Sequence, residues 1–324
     1  MTFKPARNLA NPHLQTLWPT FFRKQPAPLR RAEKMPLPDG DHLWLHWGSC
    51  KPDNGFAVVI LHGITGSSDS PYCRGLQHQF EQQQIANVVV HSRGTANRPN
   101  DRAQLTYAGE TADIHQALLY LEQQHAVRRV FIIGISLGGA RLLNYLAGDN
   151  VSPLVQAAAA ASVPLDLASS AERLNQGFSR LYRKHLLNEL VTGMAQRIDH
   201  LSTIAPTEAE KLKALGPFNT LRTFEQYDSR VIAPLYGFRN AQHYYRECSP
   251  LGKLKKIDRP TLLIQAQDDP FLAPAALPSI DQTGNAVMLE VTRHGGHVGF
   301  ISGSPRNPKY WLETRLLKQV LDFF

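Results

Sequence analysis

The sequence is poor in cysteine and has no long apolar run. Its three cysteines are odd in number and scattered along 324 residues, a pattern that does not suit a disulfide framework and favours a reducing compartment. No stretch approaches the roughly 18 consecutive apolar residues of a membrane-spanning helix. The first residues lack the apolar core of a secretory signal. We therefore expect a cytosolic protein without a transmembrane segment.

Motifs for nucleotides, nucleic acids and metals are also missing. The sequence contains neither G-x-G-x-x-G nor G-x-x-x-x-G-K, and no helix-turn-helix pattern or alternation of basic and aromatic residues is present. His294 and His297 are three residues apart and offer two metal ligands without companions. We expect no cofactor, no metal ion and no nucleic-acid partner.

The charge is unevenly distributed. The chain has a net charge of +8 with 43% hydrophobic and 19% charged residues, as in globular proteins. Much of the excess lies in an N-terminal basic arm, residues 1–40, where Glu33 is the one acidic residue before residue 35. We expect the arm to pack on the core, and weak contact with an anionic membrane surface is the alternative. The basic residues are Lys4, Arg7, Arg23, Lys24, Arg30, Arg31 and Lys34, and the apolar ones are Leu14, Leu17, Trp18, Phe21 and Phe22.

Beyond the arm, short apolar runs alternate with helical patterns. The run from Phe56 to Leu61 is continuously apolar, as in a strand that is buried on both faces. The alternation predicts an α/β fold with a mostly parallel central sheet flanked by helices. The strand candidates are 43–47, 56–61, 88–90, 130–133, 155–163, 261–264 and 287–291, and the helix candidates lie near 72–84, 108–125, 137–147, 274–282 and 309–323.

One long segment interrupts this alternation. Residues 167–248 show amphipathic helical patterns and no convincing strand, and a compact domain does not leave so many residues as loop. The segment comes just before the strand candidate at 261–264, over the sheet edge where open α/β folds bind ligands. We expect a helical lid between two core segments, 41–166 and 249–324. A structural subdomain remote from the chemistry is the alternative.

A G-x-S-x-G pentapeptide, residues 134–138, follows the apolar run from Val130 to Ile133. Between a buried strand and a helix, this pattern is typical of a nucleophile elbow, in which a serine lies on a sharp turn with its hydroxyl above the sheet. The turn is too tight for Cβ atoms at Gly134 and Gly138. Because glycine and serine are common, the pattern indicates a nucleophilic serine only if Ser136 has a base and an acid as partners.

A serine hydroxyl is a poor nucleophile at neutral pH and needs a base, which in turn needs an acid. His297 lies in a glycine-rich loop after the last strand candidate, and Asp268 and Asp269 follow the strand candidate at 261–264. Asp269 is our choice, because Asp-Pro followed by apolar residues is the usual setting of this acid. Two alternatives remain open: Asp268 is the acid, or residues 268–270 form only a turn. The order Ser136, Asp, His297 is that of hydrolases with this architecture.

The oxyanion that forms when a serine attacks an ester must meet preorganised hydrogen-bond donors. We expect one from the backbone N–H of Leu137, which follows the nucleophile, and the other from Ile64 in the loop after the strand candidate at 56–61. An ordinary glycine-rich turn is the alternative for that loop.

The motifs together resemble the α/β-hydrolase superfamily, and within it the YheT-like subfamily. The resemblance covers nearly the whole chain outside the 167–248 segment, and it implies a carboxylic-ester hydrolase with Ser136 as nucleophile, Asp269 as acid and His297 as base. Eukaryotic members act on phospholipids, acylglycerols or acyl-ethanol esters. The matching strings are NPHLQTLWP (11–19), LHGITGSSDSPY (61–72), SRGT (92–95), GETADI (109–114), AQDDP (266–270) and GGHVGF (295–300).

These observations predict a serine carboxylesterase that hydrolyses short- or medium-chain acyl esters through an acyl-enzyme intermediate. Its partner would be a small-molecule ester, contacted by Thr65, Tyr72, Phe271 and Phe300. An acyltransferase or lipase that passes the acyl group of a lipid to an alcohol is the first alternative, since it forms the same intermediate. A non-catalytic module that binds lipid or a partner protein is the second.

Overall fold

The computed structural model describes residues 2–23, 28–95 and 99–324, and its centre is an eight-stranded sheet. The strands are β1 (Arg31–Pro36), β2 (His42–Trp47), β3 (Phe56–Leu61), β4 (Asn87–Val90), β5 (Arg129–Ile135), β6 (Val155–Ala161), β7 (Thr261–Ala266) and β8 (Val287–Thr292). Their order is β1-β2-β4-β3-β5-β6-β7-β8. β2 pairs antiparallel with β1 and β4, whereas the other pairs are parallel. The predicted mostly parallel sheet is confirmed.

Helices cover both faces of the sheet. The α-helices of the described residues are α1 (Pro12–Phe22), α2 (Pro71–Gln82), α3 (Ala112–His125), α4 (Leu137–Leu146), α5 (Leu167–Arg173), α6 (Ser179–Ile204), α7 (Pro206–Lys213), α8 (Phe224–Tyr227), α9 (Ala233–Leu235), α10 (Ala241–Cys248) and α11 (Trp311–Leu321). A two-stranded hairpin, β9 (Ile301–Ser304) with β10 (Asn307–Tyr310), precedes α11. None of these helices is long and apolar enough to cross a membrane.

The side chains of β3 alternate between two apolar layers. Val59 and Leu61 face the layer that α3 and α4 cover, whereas Val58 and Ile60 face α2 and α11. All four are buried, and burial of each such side chain contributes about 1.5–3 kcal/mol. A strand covered on both faces has no solvent side, which explains why this run contains no polar residue.

The observed elements differ from the sequence expectations in several places. The helix expected at 274–282 is absent, and two 3₁₀ turns, Pro274–Ala276 and Ile280–Gln282, stand in its place. Pro278 explains the difference, because a proline inside a helix lacks an N–H donor and clashes with the preceding turn. The edge strand β1 and the β9–β10 hairpin were not expected.

Residues 167–248 hold α5 to α10 and contribute no strand, so their expected helical character is confirmed. The first of these helices, α5, begins after Asp166, whose side chain accepts a hydrogen bond from the Ser169 N–H at 2.8 Å. The longest, α6, spans 26 residues. The segment leaves the sheet after β6 and returns to it before β7.

The N-terminal arm is partly integrated into the core. Gln15, on α1, is buried and bonds to Leu9 and Ile301. However, β1 belongs to the sheet, so a boundary at residue 40 does not separate arm from core. The expected burial of three apolar residues of the arm is wrong, because Leu14, Phe21 and Phe22 are 44%, 70% and 60% exposed. Lys24 lies outside the described residues.

Candidate active site

Ser136 lies in a strained turn between β5 and α4. Its φ of 54° and ψ of −120° are unusual for a residue with a side chain. A Cβ atom on Gly134 would lie 2.7 Å from the Gly138 carbonyl oxygen, and one on Gly138 would lie 2.3 Å from the Leu61 carbonyl oxygen. The predicted reason for both glycines is confirmed: the turn has no room for side chains there.

Three distant side chains meet at this turn. His297 Nε2 lies 3.0 Å from Ser136 Oγ, and His297 Nδ1 lies 2.9 Å from Asp269 Oδ2. The other carboxylate oxygen of Asp269 accepts a hydrogen bond from the Phe271 N–H at 2.8 Å. Burial raises the pKa of Asp269, although His297 and the Phe271 N–H oppose the rise. Through these hydrogen bonds a proton can pass from the serine hydroxyl to the imidazole while the carboxylate orients the ring.

The structure distinguishes between the two neighbouring aspartates. Asp268 lies 3.2 Å from His294 Nδ1 and accepts a hydrogen bond from the Gly296 N–H at 2.9 Å. It therefore holds the loop that carries His297 but does not bond to the imidazole of His297, which Asp269 does.

The loop of His297 also rests on α1. The His297 N–H donates to Thr16 Oγ1 at 2.9 Å, and the Thr16 hydroxyl donates to the Pro12 carbonyl at 2.7 Å. A Cβ atom on Gly296 would lie 2.5 Å from the Pro12 carbonyl oxygen, and one on Gly299 would lie 2.1 Å from that of Gln15. The sequence string at 11–19 carries only a resemblance, and the structure places it in α1 and its N-cap, in contact with the histidine loop.

Backbone strain concentrates around this site. Among the described residues, eight non-glycine residues have positive φ. Five of them are Ser136 itself and residues of the neighbouring loops, namely Thr65, Ser162, Val298 and Phe300. Such conformations cost of the order of 1–3 kcal/mol each and cluster at functional sites. Ser162 and Val298 are linked directly, because the Val298 N–H donates to Ser162 Oγ at 3.0 Å.

Leu137 and Ile64, the residues expected to supply the oxyanion donors, line the same cavity as Ser136. Leu137 begins α4, where the first backbone N–H groups have no partner within the helix. The loop that carries Ile64 approaches closely, since a Cβ atom on Gly63 would lie 3.1 Å from the Cβ of Ser136. The Gly63 N–H donates to the Tyr72 hydroxyl at 2.9 Å, which fixes this loop.

Two cavities meet at Ser136 and His297, with Ile64, Leu186 and Phe271 lining both. The inner cavity extends beneath α5, α6 and α8, and is largely apolar. The outer cavity opens between α1 and the start of α6. Further inner residues include Leu137, Leu167, Leu174, Leu190, Phe224, Tyr227, Asp228, Ile232, Tyr244 and Tyr245, and further outer ones include Thr16, Leu17, Phe21, Thr65, Tyr72, Phe178, Leu181 and Tyr182.

Three of the four expected substrate contacts line these cavities. Phe271 lies flat against the imidazole of His297, with ring centroids 3.9 Å apart, and Thr65 and Tyr72 line the outer cavity. Phe300 does not. It is fully buried against Phe3 and Trp311 and lines neither cavity, so the prediction that Phe300 contacts the substrate is wrong.

One cluster among the described residues has the composition of a metal site. Ligand atoms of Asp41, His42 and Asp101 lie within 4.8 Å of one another. However, Arg93 lies 3.1 Å from Asp41 and Lys34 lies 3.6 Å from Asp101. These two side chains already supply positive charge to the carboxylates, so the cluster fits an ion-pair network better than a metal site.

Sequence reasoning missed Asp228, the acidic residue among the described residues that line the inner cavity. Its side chain is 9% exposed and lines the cavity wall. Asp228 belongs to no motif, and a single acidic residue in an amphipathic stretch predicts a side chain that faces solvent. Only the packing of α8 and α10 shows that it faces inward.

Comparison with known proteins gives a consistent result. A family model described as the alpha/beta hydrolase fold matches residues 57–304. YheT of Escherichia coli (strain K12), provisionally named an esterase, is 34% identical over 97% of this chain and 91% of its own length. A monoacylglycerol lipase of Saccharomyces cerevisiae is 29% identical over 81% of this chain, which spans 58% of that relative. A solved structure of the Pyrococcus furiosus esterase Pf2001 shares the fold, with a TM-score of 0.56 and 15% identity over 91% of each chain.

Proposed function

The chain belongs to the α/β-hydrolase fold family and to its YheT-like subfamily, and we propose that it is a serine carboxylesterase that cleaves short- or medium-chain acyl esters through an acyl-enzyme intermediate. Together with its esterase and lipase relatives, this membership makes it an esterase- or lipase-type hydrolase. The finer proposal rests on one observation, the continuous hydrogen-bonded chain from Asp269 through His297 to Ser136.

In the first half-reaction, Ser136 Oγ attacks the ester carbonyl carbon as His297 Nε2 takes its proton. The backbone N–H groups of Leu137 and Ile64 stabilise the resulting oxyanion. The intermediate collapses when the bond to the leaving alcohol breaks, and His297 returns the proton to that alcohol. Asp269 holds the Nδ1–H of the imidazole and stabilises its charged form.

In the second half-reaction, water replaces the alcohol. His297 takes a proton from the water, whose oxygen attacks the acyl carbon bound to Ser136. The bond to Ser136 Oγ breaks, the serine regains its proton, and the carboxylic acid leaves. An alcohol in place of water would give acyl transfer through the same steps.

The cavities support an ester with modest apolar arms. The inner cavity is lined mainly by leucine and aromatic side chains and is small, which suits a short or medium chain. A relative named as a monoacylglycerol lipase supports an acyl ester as the substrate. Residues 167–248 act in this proposal as a lid, because Leu174, Leu186 and Leu190 from that segment face Ser136 across the cavity.

The arm has a supporting part in the proposal. Through Thr16 it holds the histidine loop, and its exposed Leu14, Phe21 and Phe22 support weak contact with a lipid surface. The three cysteines, which are all free, agree with the expected cytosolic location.

Hydrolysis of p-nitrophenyl acetate, butyrate, octanoate and palmitate tests the proposal. We expect turnover of the three shorter esters, little of palmitate, and loss of turnover in Ser136→Ala. Products formed with added ethanol distinguish the free acid from the ethyl ester. A Ser136→Ala variant as active as the parent would remove Ser136 from the mechanism.

A further inference from the structure

The wall of the inner cavity contains an acid that the proposed chemistry does not use. Asp228 begins a π-helical turn, Asp228–Ile232, directly after α8. Its neighbours on the cavity wall include the aromatic residues Tyr227, Tyr244 and Tyr245. π-Helical turns are rare and are frequently found at functional sites.

Asp228 has few partners for a buried carboxyl group. Within the described residues, one hydrogen bond reaches its side chain, from the Tyr245 hydroxyl to Oδ2 at 2.7 Å, and no lysine, arginine or histidine forms an ion pair with it. Buried carboxylates are normally paired with a cation or several donors, because an unpaired one costs several kcal/mol. Asp228 can therefore accept another partner from the cavity that it lines.

Burial raises the pKa of Asp228 to about 7, and the Tyr245 hydroxyl only partly offsets this. Both protonation states are therefore present near neutral pH. A hydroxyl group can pair with either state, because it donates to a carboxylate and accepts from a carboxylic acid. An ammonium group could pair only with the carboxylate and would bring a second charge into an apolar cavity.

We propose that Asp228 and Tyr245 form a polar subsite that binds a hydroxyl group of the substrate, remote from the ester bond that is cleaved. The inference rests on the proposed function, because the inner cavity must receive one arm of an ester held at Ser136. The hydroxyl has two possible sources, the acyl chain or the alcohol. The substrate class is thus a hydroxylated ester, rather than a purely apolar one.

A purely structural role explains the site less well. The Tyr245 hydroxyl could be satisfied by a neutral acceptor, whereas an acid in an apolar wall destabilises the fold. Local costs of this kind are typical of sites where a ligand supplies the missing partner. The bound hydroxyl is that partner here.

Paired esters test the subsite on the unmodified protein. One series carries a hydroxyl at successive carbons of a medium-length acyl chain and is compared with the plain acyl esters. The other compares medium-chain esters of glycerol with those of 1-propanol. We expect about tenfold higher kcat/KM for the hydroxylated member at the best position, as one added hydrogen bond to a charged group gives. Preference in the first series identifies the acyl chain as the source, and preference in the second identifies the alcohol.

Variants of Asp228 test whether this residue causes the preference for hydroxylated esters. In Asp228→Leu the ratio of kcat/KM between paired esters should fall to about one, and a general loss of activity cancels from this ratio. Asp228→Asn keeps a donor and an acceptor and should retain most of the preference. Glu225→Leu makes the same change at an exposed carboxylate three residues earlier and should leave the ratio at its original value.

The outcomes separate the two proposals. Turnover of plain esters with no preference in either series overturns the hydroxyl subsite and leaves the esterase standing. A preference that persists in Asp228→Leu also overturns it. If no ester is cleaved at all, the proposed function fails and the subsite fails with it.

Discussion

The side-chain oxygen of Thr16 accepts a hydrogen bond at 2.9 Å from the backbone N–H of His297, 281 positions later. The contact joins the start of the chain to the loop that carries the proposed base. Because the hydroxyl of Thr16 also donates to the Pro12 carbonyl, the acceptor oxygen is fixed within α1. The position of the imidazole therefore depends on the N-terminal arm.

Thr16→Val should lower kcat about 5- to 30-fold, because it leaves the His297 N–H without its acceptor. KM should change little, since Val has nearly the same shape as Thr. Thr16→Ser keeps the oxygen and should restore most of the rate. Equal rates for the Val and Ser variants would show that packing alone holds the loop.

Asp269 and Asp268 offer a matched pair of substitutions. Asp269→Asn should lower kcat roughly 10³- to 10⁴-fold, because an amide cannot stabilise the charged imidazole and favours the wrong tautomer. Asp268→Asn should cost less than about tenfold, since it weakens only the bonds to His294 and Gly296. Steady-state kinetics on one ester measures both, and a larger effect at Asp268 would reverse the assignment.

The turn around Ser136 predicts a sharp contrast between two glycines. Gly138→Ala should lower the free energy of unfolding by about 2–3 kcal/mol or more, because the new methyl group meets the Leu61 carbonyl, which cannot move aside. Gly193→Ala lies in α6 with no atom within 4 Å of the new Cβ, and it should stabilise by roughly 0.5–1 kcal/mol. Urea denaturation measures both, and similar effects at the two positions would contradict the crowded turn.

Asp228 should make stability depend on pH. Its pKa is raised by burial from an ordinary 3.8 to about 7, so between these values the folded state holds a proton that the unfolded state has lost. The contribution of Asp228 to the free energy of unfolding therefore falls as pH rises from about 4 to about 7 and then levels off. The facing hydroxyls of Tyr227, Tyr244 and Tyr245 have raised pKa values and stay protonated in this range.

Asp228→Asn removes this titration. The Tm of the variant minus the Tm of the parent should increase as the pH rises from 4.5 to 7.5. The corresponding change in the difference between their free energies of unfolding is at most a few kcal/mol. Other titrating groups, such as the buried His62, are common to both proteins and cancel from the difference. A difference that is constant across this range would show that Asp228 titrates normally.

The sequence was informative where the chemistry depends on local pattern. The elbow at Ser136 needs small residues within a few positions, and the proposed base and acid follow strand candidates, so the three candidates could be chosen without coordinates. The parallel sheet followed from apolar runs such as 56–61, because a strand covered on both faces cannot tolerate polar residues.

Features that depend on distant contacts were not predictable. The edge strand β1 contains Arg31, Glu33 and Lys34, and it is a strand because β2 offers an unpaired edge. Phe300 follows the His297 loop in sequence, yet it turns into the core against Phe3 and Trp311. Asp228 carries no motif, and only the fold of the helical segment turns it toward the cavity.

The most direct measurement is covalent labelling with a fluorophosphonate probe, followed by mass spectrometry of the digested protein. The probe reacts with a serine whose hydroxyl is activated by a neighbouring base. We expect one adduct per chain, on the peptide that contains Ser136, and no adduct in Ser136→Ala. An unlabelled parent protein, or an adduct on another residue, would contradict it.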